Sequence, residues 1–388
     1  MVKQISVLGC TGSIGAQSLD VIASHPEEMA LFGIAANANI ETLLQQARQY
    51  HPRVVACETE FDAQLLPAGT EAIMGQGATG QLAAMSEADV VVNGISGFAA
   101  LAPLVASLKA GKRVALANKE SIVCGKSLID SILREYQGEI LPVDSEQSAI
   151  FQCLQNGKKS EVDKLILTAS GGPFWRKSRE ELVDITPKQA LAHPTWNMGK
   201  KITLDSATLF NKGLEVIEAA YLFDLPAERI DVLIHPQSIV HSMVSYIDGT
   251  CMANMSKPDM RLPIQYAITY PNRIASSCTP LSLYLEHPLS FFKPDFARFH
   301  SLRMAYDALK AGLSCPLVYN GANEAAVEAF CSGRIGFLDI EQVVDYTLHQ
   351  HTPKALNTLE EIIEADRLAR IEANAIIERI GQERRNRH

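Results

Sequence analysis

The sequence has no excess of positive charge, no paired cysteines and no long apolar run. Its 35 Lys and Arg stand against 44 Asp and Glu, a formal net charge of −9 over 388 residues. Proteins that hold duplex nucleic acid gain affinity by neutralising phosphates with basic side chains. An acidic chain with no long basic run argues against nucleic acid as a partner, and the tail Arg384, Arg385, Arg387 reads as a solvated, frayed end. The eight cysteines are scattered, with no C-x-x-C pair, which excludes a cysteine-rich zinc site and a disulfide framework. Dispersed thiols suit a reducing compartment, so a cytoplasmic location is expected. No window approaches the apolar length that spans a bilayer, and no membrane association is expected. Met1 to Gly9 runs directly into a strand-like segment, so no signal peptide is expected.

Apolar residues make up 47% and charged residues 20%, material for two or three domains with sizeable cores. The first third alternates short apolar runs with helical segments. Strands are expected at Ile5–Leu8, Ala30–Ala36, Val54–Cys57, Val90–Gly94 and Arg113–Ala117. Helices are expected near Ala16–Ser24, Glu41–Tyr50, Phe98–Ala110 and Ser121–Glu135. Such alternation implies βαβ units and an α/β, doubly wound parallel sheet. From about Gly138 the texture changes. Strands at Ile140–Val143, Leu165–Leu167, Val232–Ile234 and Ile239–Tyr246, with Asp248-Gly249 as a hairpin turn, predict a central α+β domain with an antiparallel portion. Pro271 to Pro294 holds four prolines and reads as an extended linker. Beyond it the pattern is helical. Thr358-Leu359-Glu360-Glu361 is a capping box, and Ile362, Ala365, Leu368, Ile371 and Ala375 recur at helical spacing, predicting a small C-terminal helical bundle.

Three features carry chemistry. Gly9-Cys10-Thr11-Gly12-Ser13-Ile14-Gly15 lies between a strand and a helix. Small residues there let a pyrophosphate approach amides at a helix N-terminus, so the turn predicts dinucleotide binding in a Rossmann-like domain. The second strand ends Ala35-Ala36-Asn37-Ala38-Asn39, with neither the acid that holds the ribose of NAD nor the base that holds the extra phosphate of NADP; Asn37 and Asn39 offer neutral hydrogen bonds. A second turn, Asn93-Gly94-Ile95-Ser96-Gly97, reads either as a further cofactor loop or as a plain turn. Asp144 and Glu146, two apart at an expected strand end, point to one side, and oxygen-only ligands suit Mg²⁺ or Mn²⁺. Such a pair is usually a solvated strand end, and a site needs a third acid. Glu215 is the best candidate, on a helix that sets Asn211, Lys212 and Glu215 on one face; an exposed helix with an ordinary ion pair is the alternative.

Taken together, the motifs resemble the 1-deoxy-D-xylulose 5-phosphate reductoisomerase family. The matching pieces are the Gly9–Gly15 turn, Leu116-Ala117-Asn118-Lys119-Glu120-Ser121, Pro142-Val143-Asp144-Ser145-Glu146 and Thr168–Phe174. His193–Gly199, Asp205–Thr208, Asn211–Glu215, His235-Pro236-Gln237-Ser238 and Pro258-Asp259-Met260-Arg261 complete the series. The resemblance implies conversion of a small phosphorylated sugar to 2-C-methyl-D-erythritol 4-phosphate with NADPH and a divalent metal (Mn²⁺, Mg²⁺ or Co²⁺), on the methylerythritol phosphate route to isoprenoids, by a homodimer. It implies metal ligands Asp144, Glu146 and Glu215, with Lys119 joining them as a catalytic residue. Substrate contacts would come from Lys119, Ser145, Glu146, Ser170, His193, Trp196, Ser206, Asn211, Lys212 and Glu215. Cofactor contacts would come from Thr11, Gly12, Ser13, Ile14, Asn118, Lys119, Glu120 and Gly199, with Asn37 and Asn39 as candidates from the strand reading. The loop from Ser170 to about Met198 would be a lid, closed by Trp196.

The implied domains are 1–138 for NADPH, 139–270 for catalysis and dimerisation, a linker at 271–295 and a helical domain at 296–388. Family members commonly place Gly, then Arg or Lys, then Asn after the second strand, where this chain has Asn37-Ala38-Asn39. Two rival readings stand beside this one. A semialdehyde-type NADP-dependent dehydrogenase would need a nucleophilic Cys, with Cys124 and Cys153 nearest the site in sequence. A non-catalytic cofactor sensor has no reason to keep three carboxylates and a lid.

Overall fold

The computed structural model describes residues 2–192, 196, 199–285 and 288–386. The chain divides into two compact units. One comprises Met1–Ser121, Ile129–Ser148 and Asp259–Thr279; the other comprises Ile122–Leu128, Ala149–Pro258 and Pro280–His388.

The first unit is built on a parallel sheet of seven strands. These are β1 (Lys3–Leu8), β2 (Met29–Ala36), β3 (Val54–Cys57), β4 (Glu71–Met74), β5 (Val90–Asn93), β6 (Arg113–Leu116) and β7 (Glu139–Pro142), in the order β4-β3-β2-β1-β5-β6-β7. The runs Val54–Cys57 and Val90–Asn93 are buried at every position, the pattern of strands covered on both faces. Helices α1 (Ser13–Ala23), α2 (Ile40–Tyr50), α3 (Ala78–Ala84), α4 (Leu101–Lys109) and α5 (Lys119–Glu135) alternate with them. The strand order reverses between β1 and β5, the place where doubly wound sheets open a crevice for ligands. Sequence reasoning missed β4 and α3. β4 is a four-residue edge strand with both end residues exposed, and α3 carries Gly80 in its middle, so neither shows a clear period.

After the central part of the chain, α10 (Arg261–Thr269) returns to this unit and packs on α1. Lys3 Nζ donates to Ile268 O at 2.7 Å, and the Arg113 guanidinium donates to Tyr270 O at 2.6 Å. The segment that follows α10 is held in turn by His25, whose Nε2 lies 2.9 Å from Ala275 O.

The second unit holds a mixed sheet of β8 (Val162–Ala169), β9 (Ile230–Ile234), β10 (Val240–Tyr246) and β11 (Cys251–Met255), in the order β11-β10-β8-β9. β8 and β9 are parallel, and β10 runs antiparallel to both of its neighbours. The expected hairpin turn joins β10 to β11: Gly249 has φ +87°, and Asp248 Oδ1 accepts from Thr250 N at 2.9 Å. Part of the Pro271–Pro294 stretch lies against this sheet, where Ile234 and Phe292 exchange backbone hydrogen bonds of 2.8 and 2.9 Å.

Helices supply the rest of the second unit: α6 (Ser145–Leu154), which begins in the first unit, then α7 (Pro187–Ala190), α8 (Lys200–Ala207), α9 (Phe210–Phe223), α11 (His300–Ala311), α12 (Cys315–Cys331), α13 (Asp339–Gln350) and α14 (Leu359–Arg385). α12 is the hub of the bundle, with Leu317, Val318, Tyr319, Ala322, Ala326 and Phe330 all buried. The capping box of α14 forms as expected: Thr358 Oγ1 accepts from Glu361 N, and the Glu361 carboxylate accepts from Thr358 N. The apolar stripe of α14 differs from the expected one. Leu368 and Ile371 are 42% and 52% exposed, whereas Ala369, Ala373, Ile376, Ile377 and Ile380 are buried. Of the expected set Ile362 is buried, and further along α14 the inner face falls on neighbouring positions that mix alanine with isoleucine.

Candidate active site

The Gly-rich turn takes its shape from backbone demands. Gly9 has φ +74°, and a Cβ on it would lie 2.9 Å from the Gly94 carbonyl. A Cβ on Gly15 would collide with Gly9 O and the Cys10 backbone, so both glycines are required by close approach. Gly12 stands at the N-cap of α1 without a side-chain cap, and the first turn of α1 carries no acid. Gly12 and Ser13 are exposed, Thr11 and Ile14 half-buried. A helix start of this kind, open and at the switch point of the sheet, suits an anion. The second Gly turn meets it there: Gly94 packs against Ile14, at 3.1 Å from Ile14 Cγ2 to a Cβ built on Gly94.

Asn118, Lys119 and Glu120 open α5 after β6. Asn118 is buried and heavily bonded. Its Oδ1 accepts from Ser121 N at 2.7 Å, and its Nδ2 donates to Ile95 O, Gly97 O and Glu120 Oε2 at 2.9–3.0 Å. Its side chain therefore ties the second Gly turn to the start of α5. At the end of β2, Asn37 and Asn39 are exposed, and Asn39 Oδ1 caps α2 by accepting from Thr42 N. The Asn39 amide N–H₂ remains a donor. Gly199 caps α8 in the other unit and is exposed.

The carboxylates sit differently from expectation. β7 ends at Pro142, and Val143 N still donates to Leu116 O at 2.8 Å before the chain turns into α6. Asp144 then serves as the cap of α6: its Oδ1 accepts from Glu146 N at 3.1 Å and Gln147 N at 3.4 Å. Glu146 thus lies in the first turn of a helix, not on a strand edge. Ser145 Oγ donates to Glu146 Oε2 at 2.5 Å. Lys119 Nζ, buried, pairs with Asp144 Oδ2 at 2.7 Å. Glu215, 1% exposed on α9, accepts from Asn211 Nδ2 and from the buried Lys212 ammonium, which also reaches Thr168 O. The exposed-helix alternative for Glu215 is therefore excluded. Asp144, Glu146 and Glu215 each bring a carboxylate oxygen within 4.8 Å of the others. A donor set of three carboxylates, with no His or Cys in it, fits Mg²⁺ or Mn²⁺ rather than zinc.

Of the remaining substrate candidates of the second unit, Ser206 lies on α8 and Ser170 opens the loop that rests on it. Ser170 follows β8, and its Oγ accepts from Gly172 N at 3.3 Å. Gly172, at φ +66°, rests on α8 so closely that a Cβ would lie 2.5 Å from Ser206 O. Trp196 packs edge-on to His241, with ring centroids 6.3 Å apart. The expected lid needs correction. Phe174, Leu182, Ile185 and Ala190 are buried in the core, so through Ala190 the segment is packed structure rather than a loose flap. His193 lies outside the described residues.

Two histidines had no role in the sequence reading, although His235 belongs to one of its motifs. His241, on β10 beneath Trp196, donates from Nε2 to Ser256 and is pushed down to about 4, mainly by burial. His235 accepts from Ile239 N and Val240 N at Nε2, both at 3.2 Å, and its Nδ1 donates to Ser290 O at 2.9 Å. The His-Pro-Gln-Ser motif was the available signal. The thiol-nucleophile rival fails on chemistry: Cys124 and Cys153 are buried, and burial raises the Cys153 thiol to about 11, opposite to what a nucleophile needs.

Family models agree with this arrangement. The 1-deoxy-D-xylulose 5-phosphate reductoisomerase model matches residues 5–126, its C-terminal domain model residues 140–223, and a further DXP reductoisomerase C-terminal domain model residues 255–372. The reductoisomerase of Chlorobium phaeobacteroides is 49% identical over 97% of this chain and 100% of its own length. That of Desulforamulus reducens is 48% identical over 97% and 99%. Among solved structures, the Zymomonas mobilis reductoisomerase in complex with NADPH superposes with a TM-score of 0.91 at 39% identity, covering 97% of this chain and 100% of that one. A DOX-P reductoisomerase with NADPH, fosmidomycin and magnesium gives 0.90 at 37%, covering 97% and 98%. Match, order and coverage agree along the whole chain, and the protein belongs to the 1-deoxy-D-xylulose 5-phosphate reductoisomerase family.

Proposed function

We propose that the chain converts 1-deoxy-D-xylulose 5-phosphate to 2-C-methyl-D-erythritol 4-phosphate, as an NADPH- and metal-dependent reductoisomerase of isoprenoid biosynthesis. The observation that carries the proposal is the three-carboxylate group at Asp144, Glu146 and Glu215. Bound there, a divalent ion (Mg²⁺, Mn²⁺ or Co²⁺) supplies Lewis-acid polarisation of adjacent carbonyl and hydroxyl oxygens, and NADPH supplies the hydride. The protein's part is positioning. Thr11, Gly12, Ser13 and Ile14 receive the pyrophosphate at the α1 N-terminus, with Asn118, Lys119, Glu120 and Gly199 lining the cofactor and Asn37 and Asn39 reaching its ribose end. Ser170, Ser206, Asn211 and Lys212 hold the substrate phosphate, whose binding energy orients the reacting carbons. Ser145, Glu146 and Glu215 meet the hydroxyls, Lys119 assists proton movement at the substrate oxygen, and His193 and Trp196 cover the site and exclude water.

The proposed functional division is 1–138 for the cofactor, 139–270 for catalysis and dimerisation, 271–295 as linker and 296–388 as helical support; the compact units cut across these bounds, since β7 and α10 belong to the first. A homodimer is favoured by the outer edge of β11, where Cys251, Met252 and Ala253 are exposed. A cytoplasmic site of action fits eight free thiols. Among the described residues no helix is long and apolar enough to cross a membrane. The test is oxidation of NADPH in the presence of 1-deoxy-D-xylulose 5-phosphate, with Mg²⁺ or Mn²⁺ against EDTA. Metal-dependent turnover to the branched polyol phosphate is expected. A folded, cofactor-binding sample that gives no turnover overturns the proposal.

A further inference from the structure

α8 carries Ser206, yet it is fastened from the C-terminal bundle. Its buried face includes Asp205, a carboxylate that is only 1% exposed. Asp205 Oδ2 pairs with Lys201 Nζ at 2.9 Å, one turn earlier on the same helix. Its Oδ1 accepts from Asn323 Nδ2 at 2.8 Å, a bond that spans 118 positions and reaches into the middle of α12. Asn323 is fully buried, and its own Oδ1 finds no partner among the described residues. An amide held in an apolar helix core with half its bonding unmet is costly, and its fixed partner is the carboxylate beside Ser206. A second fastening closes the other end of α8, where Ser301 Oγ donates to Thr208 O at 2.5 Å. Gly172 lies on the Ser206 backbone, so the seat of α8 also sets the Ser170 loop.

We infer that Asn323 is a positioning residue for phosphate recognition. Through Asp205 it fixes α8, and with it the Ser206 hydroxyl and the loop bearing Ser170. The donor is neutral, so it sets the carboxylate without competing with Lys201 for the charge. The inference rests on the proposed role of Ser170 and Ser206 toward the substrate phosphate.

Asn323→Leu keeps approximate volume and removes the donor. It is expected to raise KM for the phosphorylated substrate about tenfold with kcat within about threefold, the size of one buried hydrogen bond to a charged group. The thermal shift given by inorganic phosphate, measured without substrate, should shrink in step, while NADPH affinity stays unchanged. Unaltered KM and unaltered phosphate shift in folded Asn323→Leu overturn the inference. So does a parallel fall of kcat, KM and NADPH affinity, which marks a general structural role. If Asn323→Leu does not fold, the Asp205→Asn/Asn323→Asp exchange carries the test. It re-forms the bond with donor and acceptor reversed, and its KM should lie nearer wild type than that of Asn323→Asp alone; equal values for the two overturn the idea. Wild-type enzyme that shows the phosphate shift but no turnover counts against the proposed reaction and leaves the Asn323 comparison readable.

Discussion

The turn after β1 and the carboxylate group at 144, 146 and 215 are both sites of expected binding, built on opposite logics. The turn is a backbone device. Gly9 needs a positive φ and Gly15 tolerates no Cβ, so seven consecutive residues contain nearly the whole design. The carboxylate group is a side-chain device whose members lie 71 positions apart at the widest, and no local pattern contains it. A backbone site can be read from spacing. A side-chain site becomes readable only when the fold has brought its parts together.

The largest effect should come from the side-chain device. Glu215→Gln keeps the shape and removes one charge from the ligand set. It should lower kcat/KM by roughly a thousandfold, with metal affinity falling alongside. Calorimetry with Mn²⁺ checks the second part. Wild-type metal affinity in this variant would remove Glu215 from the set and leave an ordinary Asp-x-Glu pair.

The backbone device should break in another way. Gly15→Val drives a branched Cβ into backbone atoms that have no room to give, costing roughly 3 kcal/mol of stability. Chemical unfolding and NADPH titration should both register it, while metal binding in whatever fraction remains folded is unchanged. A stable variant with normal cofactor affinity would mean the turn is looser than its contacts indicate.

His241 gives a smaller effect that depends on pH. Burial is the chief cause of its depressed pKa of about 4, with the nearby His235 and Lys212 adding in the same direction and the Ser256 carbonyl opposing. The folded protein therefore keeps the ring neutral where the unfolded chain, near 6.5, takes up a proton. The contribution to stability is complete above about pH 6.5 and is lost as pH falls toward 4, to a limit on the order of 3 kcal/mol. Unfolding curves of wild type and His241→Asn should converge across that window. A difference that stays constant with pH would show that the ring titrates normally.

Legibility in the sequence followed the same division. Most strands of the parallel sheet, the Gly turn, the Asp248-Gly249 hairpin and the α14 cap were readable, because each shows in a short run of sequence; β4 was not, and Ile140–Val143, expected in the central domain, forms β7 of the parallel sheet. Asp144 and Glu146 were expected on a strand end, but the strand ends at Pro142 and Asp144 caps a helix, which local alternation does not reveal. The α14 stripe went wrong after Ile362 because two sets of residues satisfy the helical period, and only packing in the bundle selects Ala369, Ala373, Ile376, Ile377 and Ile380. His241 and Asn323 gave no local signal, since the groups that fix them lie on other elements.

The finest test lies in the loop after β2, the expected ribose end of the cofactor. After β2 the chain offers Asn37, Ala38 and Asn39, and Glu41 follows in the first turn of α2, exposed. Asn39 has committed its oxygen to capping that helix, so its amide N–H₂ is its remaining donor. A ribose phosphate would meet neutral donors with a carboxylate close by, which favours NADPH over NADH only modestly. Ala38→Lys adds the cation where family members commonly carry one. It should raise the ratio of kcat/KM for NADPH over NADH about tenfold, through KM for NADPH, with kcat unchanged. A ratio that does not move would place the ribose phosphate away from this loop, and cofactor preference would then have to come from the turn after β1 or its Gly94 neighbour.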